Sequence, residues 1–177
     1  MVETQMKDIQ LLFPSTKSKT KNINVSDIIE KVYGLYKRPF AENKIKYNVC
    51  STDKPLIVKT TDAVLLQVLI NLLVNATKFT KEGSIVLKLE MSDRNTAFFS
   101  VTDTGCGIPL EKQELIFERF EKLNDFAQGS GLGLSICKLI VTYMKGRLWV
   151  DSNYTQGARF CFTHPLKFQS KMEDTAL

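Results

Sequence analysis

The hydrophobic pattern of this chain switches between two periods. Ile28, Ile29, Val32, Leu35 and Tyr36 follow Ser26-Asp27 at helical spacing, which predicts a helix limited by Pro39. Ile45, Tyr47 and Val49 then alternate with polar residues and predict a strand over 44–50, with a short edge strand at 55–59. Thr61-Asp62 opens a strong second helix that runs to Phe79, and Lys81-Glu82-Gly83 turns the chain. Ile85, Leu87, Leu89 and Met91 alternate with Val86, Lys88 and Glu90, the mark of a half-buried strand. A turn at 92–95 leads to a strand over 97–101 that ends at Asp103-Thr104-Gly105, making a hairpin. Pro109 introduces a short helix at 111–118, and 121–130 is polar and irregular. Residues 132–144 read as a helix ended by Gly146. Strands at 147–150 and 158–163, joined through 153–157, complete the pattern. The whole predicts an α+β domain of about five strands with its helices on one face.

The flanks differ in composition. Residues 6–13 are partly apolar and read as the end of a helix, and Pro14 followed by alternating Ser, Thr and Lys reads as a connector. Residues 1–22 are therefore expected to be a linker, 23–166 the domain, and 167–177 a flexible tail. With 177 residues, 44% apolar and 24% charged, the chain has enough material for a single core and is unlike a disordered segment. Gln67, Asn71 and Asn75 interrupt the most apolar helix, so it is not expected to span a bilayer, and the N-terminus lacks a signal-peptide layout. Four cysteines without a C-x-x-C pair are expected to be reduced thiols. The net charge of +5 is scattered, apart from a short cluster at 17–21, and reads as a solvated surface rather than a nucleic-acid site.

Three features carry candidate chemistry. Gln67, Asn71, Asn75 and Lys78 lie within an arc of roughly 80° on an otherwise apolar helix. Such a stripe either bonds neighbouring loops or lines a cavity, with an amide oxygen for Mg²⁺ and the lysine for an anion. Asp103 at a strand end, followed by Gly105 and Gly107, is either an ordinary turn or a backbone bend beside a ligand whose amino group the acid accepts. Gly129, Gly131 and Gly133 open a helix and offer backbone N–H groups to an anion, or else form a hinge. Their spacing is neither the dinucleotide fingerprint nor a P-loop.

The order of these features is more specific than any one of them. Asn71-Leu-Leu-Val-Asn75-Ala-Thr-Lys78-Phe79-Thr80, Asp103-Thr-Gly-Cys-Gly107, Ile116-Phe117-Glu-Arg-Phe120 and Gly129-Ser-Gly-Leu-Gly133-Leu follow one another along the chain. In that order they resemble the N, G1, F and G2 boxes of the catalytic ATP-binding domain of bacterial sensor histidine kinases. That domain belongs to the GHKL superfamily, with gyrase, the heat-shock chaperone and mismatch-repair ATPases. The resemblance covers residues 23–166 and implies a two-layer α/β sandwich. In it a mixed, about five-stranded sheet backs three helices and an ATP lid.

The resemblance also implies roles for matching residues. Asn75 is the Mg²⁺ ligand, Asn71 its partner one turn earlier, and Lys78 the phosphate contact, with Asn71 and Lys78 assigned to the transfer itself. Phe79 lies beside the adenine, Asp103 reads it, and Gly105 and Gly107 let it approach, with Ile108 and Phe79 as candidates for its apolar slot. Phe117 and Phe120 anchor the lid, from which Lys122, and Arg119 beside it, reach the phosphates. Gly129, Ser130, Gly131, Leu132 and Gly133 form the phosphate loop.

ATP-hydrolysing GHKL members place a Glu where this chain has Asn71, and an Asn is no general base at neutral pH. The resemblance therefore implies ATP- and Mg²⁺-dependent transfer to a histidine on a separate dimerisation domain, and then to a response regulator receiver domain. It implies the cytoplasmic part of a membrane-anchored sensor, monomeric in isolation, with residues 1–22 continuing from an upstream dimerisation helix. The one histidine, His164, is at the end of the last predicted strand and is expected to be an ordinary strand-end or solvent-facing residue, not to be phosphorylated. Two alternatives share the boxes: an anti-sigma-factor type serine kinase, and a non-catalytic nucleotide-binding module.

Overall fold

The computed structural model describes residues 21–42, 44–52, 55–118 and 132–166. The elements are β1 (Lys21–Asn24), α1 (Val25–Glu42), β2 (Ile45–Cys50), β3 (Ile57–Thr60), α2 (Asp62–Phe79), β4 (Gly83–Asp93), β5 (Thr96–Asp103), α3 (Gly133–Tyr143), β6 (Leu148–Val150) and β7 (Arg159–Pro165). A five-stranded sheet has the order β2-β4-β5-β7-β6, with β2 parallel to β4 and the other pairs antiparallel. β1 and β3 form a separate two-stranded antiparallel ribbon. The expected mixed sheet with three helices is present.

The strand registers explain the core. Leu87, Val101 and Phe160 form one cross-strand row, and Leu89, Phe99 and Phe162 the next. All six are at most 4% exposed, and the rings of Phe99 and Phe162 stack with centroids 4.4 Å apart. Against this face α2 places Leu65, Val68, Leu69, Leu72 and Leu73, all at 0% exposure, and α3 places Cys137, Ile140 and Val141. α2 is the one described helix long and apolar enough to cross a membrane by length and composition. Here its leucines are taken up by the core.

The Thr61 hydroxyl caps α2 by accepting the Val64 N–H. The hairpin of β4 and β5 is also as read from the pattern. Five readings need correction. β1 falls partly within the expected linker and was not legible, because its only buried residue is Ile23, which pairs with Val58. α1 continues through Pro39 to Glu42, drawn on by fully buried Phe40, whose ring meets Tyr36 at 5.3 Å and Tyr47 at 4.7 Å. Residues 111–118 do not form one helix but two short 3₁₀ turns, Leu110–Lys112 and Leu115–Phe117. Of their six residues only Ile116 and Phe117 are buried, too few to hold a longer amphipathic helix.

The fourth correction concerns the end of α3. Lys145, not Gly146, takes the left-handed position, with φ 64°. The Gly146 amide bonds the Val141 carbonyl and the Lys145 amide the Thr142 carbonyl, a Schellman pair. Gly146 is needed for space instead, since a Cβ there would lie 1.8 Å from the Thr163 carbonyl oxygen.

The fifth is His164, which does not face solvent. It is 3% exposed, opposite Ala97 on the core-facing row, with Nδ1 donating to the Pro165 carbonyl at 2.8 Å. Its Nε2 is buried without a hydrogen-bond partner. All four cysteines are free thiols, Cys50 and Cys106 exposed, Cys137 and Cys161 buried.

Burial holds the His164 imidazole below its usual pKa of 6.5, against the opposing effect of the Pro165 carbonyl. The unfolded chain therefore takes up a proton at a higher pH than the folded one, and stability present above pH 6.5 is lost as pH falls toward the lower folded value. Urea midpoints measured from about pH 8 to about pH 5 should fall more steeply in the parent than in His164→Gln; parallel slopes would refute a neutral buried His164. Phe162→Ala should cost about 3–5 kcal/mol through the cavity it leaves in the stacked row.

Candidate functional site

The polar stripe of α2 runs along the side that its apolar residues leave free. Gln67 Nε2 donates to Asn71 Oδ1 at 2.9 Å, and Asn71 Nδ2 donates to the Gly133 carbonyl at 3.3 Å. Asn71 thus ties α2 to the first residue of α3, and both ends of its amide are engaged. One turn on, Asn75 is half-buried, and no hydrogen bond to another described residue ties up its amide. Lys78 is exposed, with Nζ 5.2 Å from the centroid of the half-buried Phe79 ring.

Asp103 sits where the core pattern calls for an apolar residue. It follows Ala97, Phe99 and Val101 on the same face of β5, opposite Ile85, and is 2% exposed. Its Oδ1 accepts the Gly105 amide at 2.8 Å and the Ala158 amide at 3.2 Å. Burial pushes the carboxyl pKa upward, and these amide bonds oppose the shift. The following turn is pulled against the end of α2, where the Cys106 amide reaches the Phe79 carbonyl at 3.3 Å. Gly105 fits only without a side chain, since a Cβ would lie 2.3 Å from that same carbonyl oxygen. Gly107 has φ +73° and rests against Gly157. In this structure the two glycines first of all seat the turn.

α3 begins without a side-chain cap, and its first turn carries no acidic residue. The first N–H groups of a helix lack intrahelical partners, so this end can receive an anion. Among the described residues a Cβ on Gly133 would meet nothing within 4 Å. Leu132 precedes it, its carbonyl accepting the Ser135 hydroxyl at 2.9 Å. Ile108 is half-buried against the core. Phe117 is 6% exposed and meets Phe160 edge to face at 6.3 Å, so it anchors its turn in the core. Lys138 of α3 pairs with Glu118 at 3.2 Å.

α2 is therefore the common wall. Asn71 joins it to the start of α3, and Phe79 joins it to the Asp103 turn. The readings for Arg119, Phe120, Lys122, Gly129, Ser130 and Gly131 lie outside the described residues. Three residues that the motifs did not point to complete the turn's support. The Tyr154 hydroxyl donates to the Asp103 carbonyl at 3.0 Å, Ala158 supplies an amide to the carboxylate, and Gly157 lies against Asp103. Only Gly157, in a strand connection, had a sequence signal.

Among the described residues no group of three His, Cys, Asp or Glu side chains is placed to hold a metal ion. An amide oxygen such as that of Asn75, which bonds no other described residue, still fits Mg²⁺ that brings most of its shell as phosphate oxygens and water.

A family model described as histidine kinase-, DNA gyrase B- and HSP90-like ATPase matches residues 61–168. The adaptive-response sensory kinase SasA of Synechocystis sp. is 34% identical over 178 residues, which cover 92% of this chain and 46% of that protein. The chain thus spans less than half the length of this relative. The full-length structure of ShkA in complex with AMPPNP aligns with a TM-score of 0.76 at 26% identity, over 93% of this chain and 35% of that one. The structure of histidine kinase ThkA in complex with response regulator protein TrrA aligns at 0.74 with 29% identity, over 94% of this chain and 47% of that one. With a buried acid and an open helix start on one shared wall, and with these relatives, the chain belongs to the histidine kinase-, DNA gyrase B- and HSP90-like ATPase family, as an ATP-binding catalytic domain of the sensor histidine kinase kind.

Proposed function

We propose that this chain binds Mg²⁺·ATP between α2 and the start of α3 and presents the γ-phosphate to a histidine of a separate helical domain. The observation that carries this reading is Asp103, an acid 2% exposed on the core row, with two amides on Oδ1. An apolar row accepts the cost of a buried carboxylate where a ligand makes use of it. Oδ2 then accepts the amino group of adenine, with Phe79 and Ile108 forming the apolar slot and Gly105 and Gly107 keeping it clear.

The phosphates follow α2 toward α3. Lys78 neutralises charge, and the amides of Gly133, Leu134 and Ser135 receive phosphate oxygens at the uncapped helix start. Asn75 holds Mg²⁺, which supplies charge neutralisation across the phosphates. Asn71 acts as a positioning residue, because both ends of its amide are engaged. Phe120, Lys122, Gly129, Ser130 and Gly131 are assigned to the covering segment on their resemblance.

In the transfer a histidine nitrogen attacks the γ-phosphorus, the bond to the β-phosphate oxygen breaks, and ADP leaves. Positioning and charge neutralisation are the protein's share of such a reaction. The acceptor is not His164, whose ring is enclosed in the core. It belongs to a dimerisation domain of the same protein, and a response regulator receives the phosphoryl group next. The catalytic domain, residues 23–166, works on the cytoplasmic side.

Calorimetric titration with AMPPNP, with and without Mg²⁺, tests the nucleotide site. Incubation with labelled ATP and a histidine-bearing helical domain then tests the transfer, and the product should be acid-labile. Acid-stable label on a serine would replace this reading with that of a serine kinase. Asn75→Ala should lose the Mg²⁺-dependent part of the binding, and normal Mg²⁺·AMPPNP binding by that variant would refute the metal assignment. Gly133→Ala should keep its melting temperature, since the added methyl meets no described residue, yet weaken nucleotide binding by at least about tenfold by crowding the phosphate space. Asp103→Asn should be no less stable than the parent, because the raised pKa means that the charged form is held at a cost. It should nevertheless lose preference for ATP over GTP. In the parent, adenine affinity should fall as pH is lowered toward the raised pKa of Asp103.

A further inference from the structure

Asp103 is also the point at which β5 and β7 part. Their pairing ends at Thr102 opposite Arg159. One backbone bond follows, from the Asp103 amide to the Ala158 carbonyl at 2.8 Å. In an antiparallel strand the carbonyl of a residue points to the same side as its amide. The Asp103 carbonyl therefore faces β7 as well, at the place where Gly157 turns that chain away. Its partner is a side chain, the Tyr154 hydroxyl, at 3.0 Å.

That hydroxyl is held on a fixed arm. The Arg159 guanidinium lies 4.5 Å from the Tyr154 ring centroid. Arg159 is itself held by Asp151 Oδ2 on Nη1 and by Thr102 Oγ1 on Nε, each at 3.1 Å. On the other side of the carbonyl, a Cβ at Gly157 would lie 2.1 Å from the Asp103 oxygen, so the approach there is backbone only. The peptide between Asp103 and Thr104 is thus held at its N–H by the Ser84 carbonyl of β4, at 3.1 Å, and at its carbonyl by the Tyr154 hydroxyl, the one side-chain bond of the two. The next amide, that of Gly105, bonds the carboxylate. A tilt of the peptide about the Ser84 bond would carry that amide off Oδ1 and leave the carboxylate aimed by the longer Ala158 bond alone.

We propose that Tyr154 is a positioning residue for base recognition: its hydroxyl holds the Asp103–Thr104 peptide so that the Asp103 carboxylate is aimed at the amino group of a purine. This rests on the ATP-binding reading above. Tyr154 acts through Asp103 and does not itself touch the nucleotide. It sets how sharply the site separates a purine with a 6-amino group from one without.

The test compares the intact chain with Tyr154→Phe, which removes only the hydroxyl. Calorimetry in Mg²⁺ measures the affinity of each for ATP and for purine riboside triphosphate, which lacks the 6-amino group. The parent should prefer ATP, and the variant should lose about threefold to tenfold of that preference, the share of one hydrogen bond. Its affinity for the analogue and its melting temperature should stay near those of the parent. An unchanged preference in the variant overturns the proposal. Equal weakening of both nucleotides overturns it too, since the hydroxyl would then serve only the fold. A parent with no preference for ATP removes Asp103 as the reader of the base, and this inference with it. That outcome appears in the parent alone and so is told apart from a failure of Tyr154.

Discussion

A carboxyl group on the core-facing row of the central sheet is the constraint around which this domain is arranged. Asp103 continues the line of Ala97, Phe99 and Val101, and burial acts against its charge. Two backbone amides offset part of that cost, and they come from different places, the turn after β5 and the start of β7. Holding one acid therefore requires both segments at the same spot. The turn is seated in turn on the end of α2, through the Cys106 amide and the missing side chain of Gly105.

α2 gives the site its other wall for a related reason. Val64, Leu65, Val68, Leu69, Leu72, Leu73 and Ala76 form its core face at 0–4% exposure, so the helix cannot rotate without exposing leucines. The polar stripe is thereby aimed in one direction. Within it the residues divide their work. Gln67 and Asn71 are bound to each other and to Gly133, while Asn75 and Lys78 are left with polar groups for something else. A neutral amide and an exposed lysine make a weak site for a bare cation. They suit a metal that arrives with an anionic ligand.

Much of this was legible in the chain itself. The cap at Thr61, the alternation from Ile85 to Met91 and the spacing of Asn71, Asn75, Asp103 and Gly133 all depend on local chemistry. Other elements did not. β1 has one buried residue and exists because β3 pairs with it. α1 passes Pro39 because Phe40 has a pocket of aromatic rings to enter. The burial of His164 follows from the register of β7 against β5, which one unlabelled strand does not reveal.

The sequence by itself determined the element types, the apolar faces and the order of the motif residues, since each follows from side-chain period and turn chemistry within a few neighbouring positions. Only the tertiary structure decided which amide of the stripe is engaged by another described residue, and that Lys145 rather than Gly146 adopts the left-handed turn. It also brought Tyr154, Gly157 and Ala158 to Asp103 across more than fifty residues. The physical reason is the same in each case. A hydrogen bond or a close backbone approach between distant segments has no signature in local hydrophobic period, and it exists only once the sheet register brings the two segments together.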